Sequence, residues 1–146
     1  MGQRSRIAPE EVGTPGAGPR VGGSARFIEH QGRRVLFIDF SGIRDRSTAF
    51  HAIDEVRALV ATQPEGSLLT LTAVGGSVFD PEIVQALKAL AVHNRPFVKA
   101  AAVVGLSGLQ RVVYAAVMLC SGRDVPAFRD IAEAKDWLVA HAGDPG

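Results

Sequence analysis

Residues Phe97 to Val104 (FVKAAAVV) form a continuous apolar run. A strand with one wet face alternates apolar and polar residues. An apolar run of this length instead marks a strand covered on both faces, as in a parallel sheet flanked by helices. Two more segments fit the same sheet: Arg34 to Phe40 (RVLFIDF) and Ser67 to Val74 (SLLTLTAV), both rich in β-branched, aromatic and aliphatic residues. Arg26 to His30 is a shorter strand. Gln31-Gly32 supplies a tight turn between it and the next, so those two strands run antiparallel.

Helical spacing fills the gaps between strands. Phe50, Ile53, Val56, Leu59 and Val60 share one helix face, with Ser47 or Thr48 as cap and Pro64 beyond the end. Asp80 caps a second helix with Pro81 at its first position and Ile83, Val84, Leu87, Leu90 and Ala91 on its apolar face. Asn94-Arg95-Pro96 stops it. A third helix runs from Leu109 to about Cys120 and closes at Gly122. Val125 to Phe128 is a last short strand. Asp130 and Glu133 form a capping-box-like pair on a final helix through Trp137 and Leu138. The order is β-β-α-β-α-β-α-β-α, an α/β fold with a mixed, mostly parallel sheet and right-handed crossovers. The expected organisation is a disordered tail over residues 1–24, rich in Gly, Pro, Arg and Ser, a domain over 25–142, and a short C-terminal tail over 143–146.

Composition narrows the function. From residue 26 onward, basic and acidic side chains balance at thirteen each, and aromatic residues are 6% of the chain. A nucleic-acid binder shows a basic face, so that role is not expected. The single cysteine, Cys120, makes no internal disulfide. That fits a reducing cytoplasm and a small buried hydrophobe. No apolar stretch approaches the ~20 residues of a spanning helix.

Ligands of open parallel sheets bind beyond the carboxyl ends of the strands. Three Ser/Gly loops fall there: Asp39-Phe-Ser41-Gly42, Gly75-Gly76-Ser77 and Gly105-Leu-Ser107-Gly108. Each leads to a helix N-terminus, a natural anion site, although turns and caps alone account for the same residues. Asp39 follows a buried-looking strand and needs a partner, either backbone N–H groups, an arginine such as Arg44, or a ligand. Lys99 reads as a surface lysine. Gly105-Leu-Ser107-Gly-Leu109 misses the hydrolase elbow at its last position, and His30, His51, His93 and His141 are scattered along the chain. No catalytic set, cofactor motif or metal set emerges. The third helix carries apolar residues on almost every side. Its second side must meet another helix, a partner subunit or an apolar ligand; packing against the last helix is expected, and homodimerisation through Tyr114, Val117 and Met118 is the alternative to test.

The element order, together with Leu36-Phe-Ile-Asp-Phe-Ser41, Lys99-Ala-Ala-Ala-Val-Val-Gly-Leu-Ser-Gly108, Ser121-Gly-Arg123 and Phe128…Ala134-Lys-Asp-Trp-Leu138, resembles the bacterial STAS-like proteins of the SpoIIAA-like group. That group is also similar to the CRAL-TRIO lipid-transfer fold. The resemblance spans about residues 26 to 140 and implies a non-enzymatic regulatory or ligand-binding domain. In the anti-sigma-factor antagonists, relatives of this group, a serine in an Asp-Ser motif after the third strand is the phosphorylation switch. The corresponding loop, Val74 to Asp80, holds Ser77 without the preceding Asp.

The expected function is a cytoplasmic STAS-like regulatory or scaffolding module acting through protein contact. The alternative is a binder of a small apolar or amphipathic ligand such as a lipid, and an enzyme using the Ser/Gly loops comes third. An apolar cavity between helix and sheet marks the ligand binder. A polar pocket holding a base with a perturbed pKa marks the enzyme.

Overall fold

The computed structural model describes residues 24–121 and 125–142. Residues 1–23 of the expected 1–24 tail, the tail over 143–146, the Gly122 cap and the Cys120 side chain lie outside what it describes, while Ser24 opens the first strand. Strands β1 (Ser24–His30) and β2 (Arg33–Asp39) form the hairpin. Gln31 and Gly32 both take positive φ, 52° and 78°, the type I′ geometry whose twist matches a two-residue hairpin. Then follow α1 (Arg46–Val60), β3 (Leu68–Ala73), α2 (Pro81–Asn94), a 3₁₀ turn (Arg95–Phe97), β4 (Val98–Val104), α3 (Leu109–Ser121), β5 (Ala127–Phe128) and α4 (Ile131–Ala140).

The sheet order is β1-β2-β3-β4-β5, with β1 antiparallel and the rest parallel. Each crossover therefore steps the same way across the sheet. Right-handed steps in one direction place their helices on one face. Accordingly, α1, α2 and α3 cover one side, where Leu36, Ile38, Phe40 and Val103 meet Ile53, Val56, Ile83 and Tyr114. On the other side, α4 alone among the described helices packs Ala134 and Leu138, with Ala142 just beyond it, on Val35, Leu71, Ala102 and Val104. Both faces of the central strands are dry, as the apolar runs require.

Three expectations change. The cap of α1 is Asp45, whose carboxylate accepts from the Thr48 N–H at 2.9 Å and from the Thr48 hydroxyl. Ser47 and Thr48 are already helical, because an Asp at the preceding bend reaches the same free amide. Second, α3 packs along α2, on the sheet face opposite the one that α4 covers. Third, α3 is amphipathic in context. Val112 is 64% exposed, and Arg111 and Ala115 share its outer side. Asp80 and Asp130 cap α2 and α4 as expected, accepting from Ile83 N–H and Glu133 N–H.

Arg46 joins the starts of α1 and α2, bonding Asp80 at 2.9 Å and Glu82 at 2.6 Å. The Ile83 amide first, and then Arg46, hold the Asp80 carboxyl below the usual aspartate range. A depressed folded-state pKa contributes stability above the ordinary aspartate value, about 3.9, and loses it as pH falls from there through the folded value. Asp80→Asn keeps a capping oxygen and removes the charge. Between pH 6 and pH 3, its urea midpoint is expected to fall less steeply than that of the parent. Parallel pH profiles would remove Asp80 as a source of acid lability.

Candidate functional site

The chain alternation on β4 contains a fault that shapes the site. Leu68 pairs with Val98, but Leu69 pairs with Ala100, so Lys99 is an extra, exposed residue at a bulge. The bulge shifts the phase of the strand. Ala101, not Ala100 or Ala102, thereby falls on the helix-covered face beside its partner Thr70. Elsewhere that face carries Leu, Ile and Phe. Over Thr70, Thr72 and Ala101 the side chains are short, and α3 packs along α2 above them.

The result is a partly open cavity of about 150 Å³ between sheet, α2 and α3. Its floor is Ile38, Phe40, Thr70, Thr72, Ala101 and Val103. One wall is Leu87, Leu90, Ala91 and Asn94, and the roof is Gln110, Val113, Tyr114, Val117 and Met118. A dry cavity of about this size admits a benzene-sized group, whereas drug-sized ligands need roughly 300 Å³ or more. Tyr114, Val117 and Met118, the expected dimer residues, line this cavity. Positions 113, 114, 117 and 118 share the inner helix face, which leaves Arg111, Val112 and Ala115 outside.

The three Ser/Gly loops do converge at the carboxyl ends of β2, β3 and β4, but they bond to one another. Gly42 N–H donates to Gly75 O at 2.9 Å, and Val74 N–H to Val104 O at 3.1 Å. A Cβ on Gly105 would lie 2.7 Å from Gly75 N. Ser77 is 6% exposed and its hydroxyl donates to Val74 O at 2.6 Å. Gln110 seals this junction. Its amide donates to Val74 O and Ser77 O, each at 2.8 Å, and to Ser77 Oγ, while its carbonyl accepts the Ser107 N–H at 3.2 Å. The folded loop thus encloses the Ser77 hydroxyl instead of presenting it to a kinase.

Asp39 accepts from the backbone N–H of Ser41 at 3.0 Å and from the Ser41 hydroxyl. Arg44 instead donates to Gly76 O at 3.4 Å. The starts of α1 and α2 already hold the carboxylates of Asp45 and Asp80, so an external anion there meets a like charge. The hydrogen bonds of His30, His93 and His141 run to Asp136, Asn94 and the Trp137 carbonyl, none of them to Ser107. Among the described residues, no three His, Cys, Asp or Glu side chains are placed to hold a metal ion. No helix among them is long and apolar enough to cross a membrane. The shifted carboxyl groups, Asp45 and Asp80, are helix caps on the exposed surface.

Sequence reasoning missed Thr70, Thr72, Ala101, Asn94 and Gln110. Two signals for them are visible in the chain: two threonines at alternate positions in a strand buried on both faces, and a glutamine in the first turn of an apolar helix.

The chain is similar to the crystal structure of an uncharacterized protein of the DUF3478 family with a SpoIIAA-like fold from Shewanella loihica PV-4. The TM-score is 0.64 at 14% sequence identity, over 84% of this chain and 98% of that one. The fold is SpoIIAA-like. No protein-family model and no curated protein matches the chain. Within this SpoIIAA-like domain, the loop at Ser77 is a sealed junction, and the open space lies one layer deeper, under α3.

Proposed function

We propose that this protein is a non-enzymatic binding module that takes a small, mainly apolar ligand between α2, α3 and the sheet. The observation that carries the reading is the cavity over Thr70, Thr72 and Ala101, lined by aliphatic and aromatic side chains. Sites of this kind draw affinity from apolar burial and orientation from a few polar groups. Among the described residues, the groups whose titration the fold shifts, Asp45, Asp80 and Arg46, serve caps and an ion pair and do not line the cavity, which favours binding over acid–base chemistry. The likeness to the lipid-transfer fold noted from the sequence points the same way.

The test is a methyl-NMR titration with benzene. Shifts confined to Leu87, Leu90, Val113 and Val117 are expected. Ala101→Leu fills the floor with three carbons, at about 0.8 kcal/mol of lost ligand burial each, so affinity is expected to fall roughly thirtyfold or more. Shifts spread over the surface, or an unaffected Ala101→Leu, would defeat the proposal.

A second reading is a cytoplasmic regulatory module that acts through protein contact, alone or as a homodimer. The SpoIIAA-like fold favours it. Native mass spectrometry of gently purified protein separates the two. A bound increment of a few hundred daltons or less supports the ligand. A co-purified subunit without one supports the partner module.

A further inference from the structure

Among the described residues, the twenty-one that line the cavity include no Lys, Arg, His, Asp or Glu. Its polar members are Thr70, Thr72, Asn94, Gln110 and Tyr114, all neutral near pH 7. Thr70 and Asn94 are among the few buried polar residues of the domain, 5% and 8% exposed. Of the described cations next to lining residues in sequence, Arg95, Lys99 and Arg111 are exposed and Lys88 is half-buried, and none of the four lines the cavity. The Gln110 amide is committed to Val74, Ser77 and Ser107.

We infer that the cavity selects an uncharged ligand, a short hydrocarbon body with a single neutral hydrogen-bonding head such as a hydroxyl or carbonyl, and discriminates against carboxylates, phosphates and amines. This rests on the proposed binding function and specifies its ligand. Placing an ion against such a lining strips its hydration without supplying a counter-charge, and that cost is far larger than for a neutral polar group. Hydroxyls and an amide, in contrast, meet a neutral head as donor or acceptor.

Three probes of equal chain length isolate the head group: hexan-1-ol, hexanoate and hexylammonium, each titrated into the full chain at pH 7.5 and followed by the same cavity methyl signals. Hexan-1-ol is expected to bind at least tenfold more tightly than either ion. Thr70→Val, which removes a hydroxyl with little change of shape, is expected to weaken hexan-1-ol several-fold more than it weakens benzene. Hexanoate or hexylammonium binding within threefold of hexan-1-ol would overturn the inference. If benzene binds in that case, the cavity still works as a site and only its selectivity has been misassigned. If neither benzene nor any six-carbon probe binds, both the inference and the binding function fall.

Discussion

Gly105→Ala is expected to destabilise the protein by about 3 kcal/mol, a large part of the 5–15 kcal/mol that holds a domain together. Two costs combine. Gly105 has φ +91°, outside the range L side chains favour, which costs roughly 1–2 kcal/mol. An added Cβ would also press on the Gly75 backbone, N at 2.7 Å and Cα at 3.0 Å, and overpacking of that kind costs about 1–3 kcal/mol. Neither neighbour is a side-chain end that swings away, so the loops after β3 and β4 must part. Gly108→Ala is the control, because φ is also positive at +49° but nothing lies within 4 Å of the new carbon. Its expected loss is about 1 kcal/mol. Urea unfolding followed by the single tryptophan, Trp137, compares the two. Equal losses would show that the close approach of the two loops does not hold.

Leu138→Ala is expected to cost about 3 kcal/mol, within the 2–5 kcal/mol range for a buried leucine whose cavity does not collapse. Leu138 is fully buried, and with Ala134 and Ala142 it forms the stripe, four residues apart, that seats α4 on the sheet. Its neighbours along the helix stripe are alanines, too short to fill the gap from α4 itself. Loss of seating is expected to raise hydrogen exchange along α4 before the rest of the domain, and to shift the emission of Trp137, which stacks on His141 at 4.1 Å. Val112→Ala, on the exposed side of α3, is expected to change stability by about 0.5 kcal/mol or less. A Leu138→Ala protein as stable as Val112→Ala would mean that α4 contributes little to the second face.

These sites differ in how far the chain announces them. The strands, the two-residue hairpin turn and the caps at Asp80 and Asp130 were legible, because each depends on residues within a few positions of one another. The cap of α1 was misplaced by two or three residues, since Asp45, Ser47 and Thr48 compete for the same free amides and only the bend before the helix decides. Asp39 was recognisable as a carboxylate in need of a partner. That the partner is Ser41 depended on the turn closing back at once. Tyr114, Val117 and Met118 stood out as apolar, but periodicity does not say whether such a stripe faces a cavity, a helix or a second subunit.

By itself, the sequence determined which segments are strands and helices, that the central strands are dry on both faces, and that the sheet is mixed, with its parallel strands joined through helices. Local backbone preference and the burial of apolar periodicity are properties of short stretches of chain. Tertiary structure alone decided the rest. The bulge at Lys99 turns Ala101 toward the helices, α4 crosses to the far face, and Gln110 closes the loops around Ser77. Each outcome depends on the fit between segments distant in sequence. A shift of one residue in one strand reverses which side chains meet the helices.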